Sequence, residues 1–222
     1  MNDTATHTDV PRSFFEFVNR PIAGWMRPVL IVLTFALAAS YFFPLWRIAM
    51  EAPQYPEGLR LDIYSYKLEA GNDGHDLVEI NTLNHYIGMH KIDREALADL
   101  DWMPYAIGVL GLLALRVAAI GAVRDLIDLA VLSAYVSLIA FGRFVYMLYK
   151  FGHELDPHAP VNVEPFWPAI IGTKQIANFT THSLPQLGSV FMGTFTGGVF
   201  ALMLWQLWDG HRKARAARAA AG

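Results

Sequence analysis

Two stretches of this 222-residue chain concentrate side chains that can hold a metal ion. The first is Asn84-His85-Tyr86-Ile87-Gly88-Met89-His90, which puts two imidazoles and a thioether within six residues. The second is Phe151-Gly152-His153-Glu154-Leu155-Asp156-Pro157-His158. Imidazole with thioether suits copper, and imidazole with carboxylate suits zinc or Cu(II). His85 and Met89 share a face if their segment is helical, because residues four apart lie one above the other. His90 joins them in a looser turn. The candidate metal ligands are therefore His85, Met89, His90, His153, Asp156 and His158, with copper the expected metal and zinc the alternative. His75 and His182 are bystanders in this reading. No tight motif such as HExxH is present, and loop histidines also serve simply to bond backbone or lipid headgroups.

Other chemistries find less support. The chain has no cysteine, which removes disulfides, thiolate metal sites and cysteine nucleophiles. His182 and Ser183 are adjacent, but adjacency is not a triad. Asp62, Asp73, Asp76 and Glu79 lack EF-hand spacing, and no Gly-rich phosphate loop exists. The net charge of -3 gives no reason to expect nucleic acid. An enzyme is the least supported class.

The elements that position these residues belong to a membrane. Hydrophobic residues make up 54% of the chain, and mean hydropathy is +0.30, more than a soluble surface tolerates. A bilayer core of ~30 Å needs ~20 apolar residues in a helix. Four runs qualify by composition: Pro28 to Trp46, Met103 to Val123, Leu126 to Tyr149 and Ser189 to Trp208. Trp25, Trp46, Trp102, Tyr146, Tyr149, Trp205 and Trp208 lie at their edges, as interfacial aromatics do. The runs contain no histidine, glutamate or lysine, so no intramembrane haem or proton relay is expected. Asp125 and Asp128 suit a helix N-terminus. Arg116 and Arg143 are expected to snorkel toward an interface. Gly193 and Gly197 form a small-xxx-small pair, which allows close helix approach.

Arg12, Arg20 and Arg27 precede the first run, Arg124 lies between the second and third, and Arg212, Lys213, Arg215 and Arg218 follow the fourth. The positive-inside rule makes that side cytoplasmic. Loops 47–101 and 150–188 then face outward, and acids outnumber bases roughly two to one in the first. The N-terminal stretch lacks the basic start and apolar core of a cleavable signal peptide, so the first helix is expected to remain in the mature protein. Leu59, Leu61 and Ile63 alternate with polar neighbours, and a second extended run is expected at Leu77 to Leu83 after the Asn72-Asp73-Gly74 turn. Together they predict a small hairpin. Asp93 is expected to cap a short helix over 94–100, and 170–181 to form a short interfacial helix.

Three segments carry a resemblance: Ala52-Pro53-Gln54-Tyr55-Pro56-Glu57-Gly58-Leu59, Ile80-Asn81-Thr82-Leu83-Asn84-His85-Tyr86-Ile87-Gly88-Met89, and Gly172-Thr173-Lys174-Gln175-Ile176-Ala177-Asn178-Phe179. Over roughly 44–185 the chain resembles a family of bacterial multi-pass membrane proteins associated with copper-dependent nitrous oxide reductase and its maturation. The resemblance implies copper, and carries over only His85 and Met89 as motif positions.

The sequence thus predicts an all-α membrane protein with four transmembrane helices and two outward loops, the first holding a small β-hairpin. Residues 1–27 form a cytoplasmic segment, 28–208 the transmembrane domain and 209–222 a basic cytoplasmic tail. The expected function is an accessory protein of the bacterial inner membrane that binds copper at its periplasmic face for a cuproenzyme or its maturation. The alternative is a structural scaffold subunit of a larger membrane complex. Either reading implies the lipid bilayer and a periplasmic or membrane protein as partners.

Overall fold

A helix with leucines every three or four residues buries a stripe and leaves the rest to its surroundings. That pattern builds the bundle seen in the computed structural model, which describes residues 14–176 and 178–221. In chain order the elements are α1 (Phe14–Val18), α2 (Met26–Ala39), β1 (Trp46–Ala52), β2 (Tyr55–Ile63), β3 (Leu68–Ala70), a 3-10 turn (Asn72–Gly74), α3 (His75–Tyr86), α4 (Asp99–Ile120), α5 (Val123–His153), β4 (Gly172–Ile176), β5 (Phe179–Pro185) and α6 (Leu187–Ala221). Residues 1–13 of the expected cytoplasmic segment lie outside the described residues. Leu30, Leu33 and Leu37 of α2 meet Ile107, Leu110 and Ala114 of α4, Leu126 and Leu129 of α5, and Phe195 and Val199 of α6 in one buried core.

The expectation of four transmembrane helices is corrected to three. Among the described residues, α4, α5 and α6 are long and apolar enough to cross a membrane. α2 has 14 residues, which at ~1.5 Å per residue span about 21 Å, short of a ~30 Å core. The apolar run from Pro28 to Trp46 is shared between two structures. Both the backbone N–H and the hydroxyl of Ser40 donate to the Leu37 carbonyl, at 3.1 and 2.6 Å, which closes the helix. Trp46 already belongs to a strand. Hydropathy counts these residues as one run because it cannot see that the last of them are claimed by a sheet.

The sheet is the second correction. In place of a small hairpin, the chain holds a five-stranded antiparallel sheet of order β3-β2-β1-β5-β4, with strands from both long loops. The expected strand at 59–63 is present within β2, but its hairpin partner is β1. The run 77–83 is helical and belongs to α3, where Asp76, Ile80 and Asn84 are buried at a spacing of four. That is helix periodicity, hidden in the sequence because two of the three are polar. Likewise 170–181 is no helix. It contributes β4 and the start of β5; β5 covers the second edge of β1, and β4 pairs with β5. Asp93 does accept the Ala96 N–H at 2.9 Å, but the regular helix begins at Asp99.

One sheet face carries Met50, Leu59, Leu61, Ile176 and Phe179, packed with Ile80 and Ile87 of the α3 region and Phe151 of α5 as a second core. The opposite face carries Arg47, Arg60 and Asp62, joined by a two-pronged Arg47–Asp62 pair at 2.6 and 2.9 Å. That pair holds the Arg47 guanidinium above its ordinary pKa, chiefly through the Asp62 hydrogen bond.

The end of the bundle away from the sheet is tied just as firmly. Ile22 donates to the Gly121 carbonyl at 3.3 Å and Val123 to the Arg20 carbonyl at 2.9 Å. Asp125 accepts the Ala122 N–H at 2.8 Å, as expected of an acid at a helix start. Arg27 bonds the Ala119 carbonyl at 2.7 Å, and Trp25 packs edge-on against Trp205 at 4.9 Å. Arg20, Arg27, Arg124 and the basic stretch after Asp209 therefore gather at this end.

The glycines of α6 divide differently from the expected pair. A Cβ on Gly193 or Gly197 would meet nothing within 4 Å, whereas one on Gly198 would lie 2.6 Å from a Leu33 methyl. Gly198 is thus the close-approach position against α2. Gly198→Leu should cost about 1–3 kcal/mol through overpacking and lower the melting temperature in detergent. Gly197→Ala should leave it unchanged or raise it slightly, since alanine is the better helix former. Equal melting of both variants would show that α2 does not rest on Gly198.

Candidate functional site

The two long loops meet at one glycine. α3 ends as Ile87 and Met89 both donate to the Asn84 carbonyl, at 3.2 and 2.8 Å. Gly88 sits there at φ +78, a conformation that costs glycine little and other residues more. Its carbonyl accepts the Asp156 N–H at 2.8 Å, and the Tyr86 carbonyl accepts the Val161 N–H at 3.0 Å. A Cβ on Gly88 would lie 2.8 Å from the Asp156 carbonyl oxygen. Gly152, in the last turn of α5, is similarly enclosed: a Cβ there would lie 2.0 Å from the Phe166 carbonyl oxygen. The segment carrying His153, Asp156 and His158 is thereby stitched onto the one carrying His85, Met89 and His90.

Adjacent backbones do not gather the six candidate ligands into one set. His85 and Met89 line one open groove with Leu68, Leu77 and Ile92. His90 pairs instead with Glu154, Nε2 to Oε2 3.4 Å, and lies edge-on to Phe151. His153 turns back on its own helix: its Nδ1 is 2.9 Å from the Tyr149 carbonyl, and its ring stacks on Tyr149 at 4.0 Å. Trp167 closes over the same ring at 5.5 Å. Asp156 accepts the His158 backbone N–H at 2.8 Å and has the His158 Nδ1 at 3.3 Å. The His158 N–H, then the His158 ring, hold the Asp156 carboxyl below its usual range, and His85 adds a smaller pull in the same direction. Among the described residues, no group of three or more His, Asp or Glu side chains is placed to hold a metal ion. His85 with Met89 is the pair that shares an opening.

Of the two bystanders, His182 has structural partners. His182 bonds Thr173 at 2.8 Å and faces Glu51 at 3.7 Å on the open side of the sheet. The four acids weighed for calcium are largely engaged elsewhere: Asp62 by Arg47, Asp76 by the Arg60 N–H at 2.9 Å, and Glu79 by the Tyr55 hydroxyl.

Several residues of this region escaped the sequence reading. Asn81 clamps the Ile92 backbone from both sides, at 2.7 and 3.0 Å, and so fixes the Met89–Ile92 strap. Asn84 is buried with neither amide atom hydrogen bonded among the described residues. Arg143 pairs with Asp99, which also accepts the Trp102 indole N–H at 2.6 Å. The signal for that pair was available: Gly121 marks the turn between α4 and α5, and Asp99 and Arg143 each lie 22 residues from it. Antiparallel helices bring such positions to one level.

No family model, curated protein or solved structure matches this chain, so the site rests on its own geometry.

Two outcomes test that geometry. Gly88→Ala should loosen the second loop, at a cost of about 1–3 kcal/mol from the left-handed backbone alone. Amide exchange at Asp156 and Val161 should accelerate while the sheet stays protected; unchanged exchange would show that the loops are not joined there. The Asp156 contact should also survive mild acid. A carboxyl whose folded pKa is depressed adds stability above its unfolded pKa, ~3.9. That contribution is lost as pH falls through the lower folded value. The His158 amide resonance, followed against pH, should therefore titrate below ~3.9; a midpoint above it would remove the contact.

Proposed function

We propose that this chain is a membrane-anchored scaffold subunit, whose outer domain is a rigid docking platform for a larger membrane or periplasmic protein. The observation that carries this reading is the continuity between bundle and platform. α5 runs 31 residues, so its last turn lies beyond the span and buries Phe151 and Gly152 in the outer domain. Gln186 and Gly188, where β5 passes into α6, donate to the Leu45 and Pro44 carbonyls, both at 2.9 Å, beside the start of β1. A domain fixed at several points transmits position, which is what a scaffold supplies. The basic residues at the opposite end favour a cytoplasmic placement for that end, and a periplasmic one for the sheet in a bacterial inner membrane. The motif resemblance favours surroundings of the nitrous oxide reductase type.

A second reading keeps copper. His85 and Met89 open on one groove, and a thioether beside an imidazole is a soft donor pair suited to Cu(I). In that reading the chain is an accessory protein that holds copper for a cuproenzyme or its maturation, and His90, His153 and His158 play other roles.

Metal analysis of detergent-purified protein after anaerobic Cu(I) loading separates the two. The scaffold reading expects no copper above a histidine-matched control. Uptake of one equivalent, lost in the His85→Ala, Met89→Ala double variant, would replace the scaffold reading with the copper one. The orientation is tested by single introduced cysteines, since the chain has none. A cysteine at Gly74 should react with an impermeant thiol reagent in spheroplasts, and one at Ala219 should not. The reverse pattern would overturn the periplasmic placement.

A further inference from the structure

A cavity of about 300 Å³ lies where the bundle meets the sheet. Met103 of α4, Phe144 and Met147 of α5, and Met192 of α6 form its walls, with Trp46 and Ile63 from the sheet above. Four of the polar groups at its surface are already spent within the protein. The Trp46 indole N–H donates to the Ser183 hydroxyl at 2.8 Å, and the Ser189 hydroxyl to the Leu45 carbonyl at 2.6 Å. Ser137 pairs with Thr196 at 3.1 Å, and Asp99 is held by Trp102 and Arg143. A polar ligand would find few partners, and an apolar space of this kind is a poor site for water. The lining is that of a hydrocarbon site.

Its depth selects the source. Ala140 lies 17 residues up α5 from Val123, about 26 Å at ~1.5 Å per residue, still within a ~30 Å hydrocarbon core. Small residues flank it, Ala140 on α5 and Gly193 on α6, and Gly193 has open space where a Cβ would sit. Arg143, about half exposed, does not line the cavity itself but pairs with Asp99, which does. Its Nε is given to Asp99, and a guanidinium carries further N–H donors suited to a phosphate.

We propose that this cavity binds one acyl chain of a bilayer phospholipid, with the lipid phosphate at Arg143. The chain fills the space bounded by α4, α5 and α6 under the sheet. The site is independent of any partner or metal at the outer loops.

The test uses the full-length protein in nanodiscs of phosphatidylethanolamine and phosphatidylglycerol, doped with a phospholipid bearing a diazirine near the end of one acyl chain. After irradiation, peptide mass spectrometry should find adducts at Met103, Met147 and Met192 in excess over lipid-facing Val109 and Leu138. Ala140→Trp should cut the cavity adducts at least tenfold and spare those on Leu138. Gly193→Leu, a smaller filling change, should cut them severalfold and serves as the test if the tryptophan variant does not fold. Arg143→Gln should weaken retention of the lipid through detergent washing. Adducts spread evenly over lipid-facing residues, or cavity adducts that persist in a folded filling variant, would overturn the proposal. So would displacement of the labelled lipid by an equimolar isoprenoid quinone and not by unlabelled phospholipid. Photo-crosslinks from a diazirine amino acid at Met192 to a second copy of the chain, in place of lipid, would overturn it as well.

Discussion

The structure depends on β1 being bonded along both edges. Trp46 to Glu51 pair with β5 on one side, and Trp46 to Met50 and Ala52 with β2 on the other. A strand in that position cannot extend the helix before it, because its N–H and C=O groups point sideways into neighbouring strands. The bilayer asks for length in the first apolar run and the sheet asks for its last residues. Six ladder positions on each side outweigh another helical turn, so α2 stops at Ala39. Because β5 is the neighbour that leads into α6, the same strand also sets where that helix begins. One strand thus fixes the registration of sheet and bundle.

A second consequence concerns the two long loops. Both contribute strands to one sheet, so they cannot move independently, and the Gly88–Asp156 junction adds a bond between their remaining irregular parts. This rigidity works against a six-ligand metal site. Of the four candidate histidines, His90, His153 and His158 are drawn into local contacts with a carboxylate, a ring or their own helix backbone, and His85 is not. A metal that recruited His90 or His153 would first have to break the Glu154 pair or the Tyr149 stack.

The long helices were legible because twenty apolar residues have few alternatives in water or lipid. The alternation of Leu59, Leu61 and Ile63 was legible for a similar reason: their face is uniformly apolar. What was hidden had polar residues in buried places. α3 buries Asp76 and Asn84 with Ile80, so its helical stripe does not read as hydrophobic. β5 buries Thr181 and Ser183, so its inward face looks like a loop. Both are satisfied or enclosed only by residues far away in sequence, such as Trp46 for Ser183. The second-loop hairpin was hidden twice over, since its reason to exist is the open edge of β1. At the candidate site the residue types were visible and their directions were not, because side-chain direction at His90 and His153 is set by Glu154, Phe151 and Trp167 rather than by spacing.

Arg143 and Asp99 show why an ion pair belongs where the bundle meets the sheet. Asp99 is mostly buried, and its carboxylate would be costly there without a cation and the Trp102 donor. Arg143 is half exposed and can keep part of its guanidinium in the interfacial layer. The pair therefore incurs less of the desolvation cost than a fully buried one, yet joins α4 to α5 just where the walls of the cavity separate them. Removing the arginine leaves a buried acid with one donor, which is worse than never having had the pair. Removing both and filling the space with hydrocarbon would pack better and erase the rim. As it stands, the clasp borders an apolar space that the fold leaves unfilled.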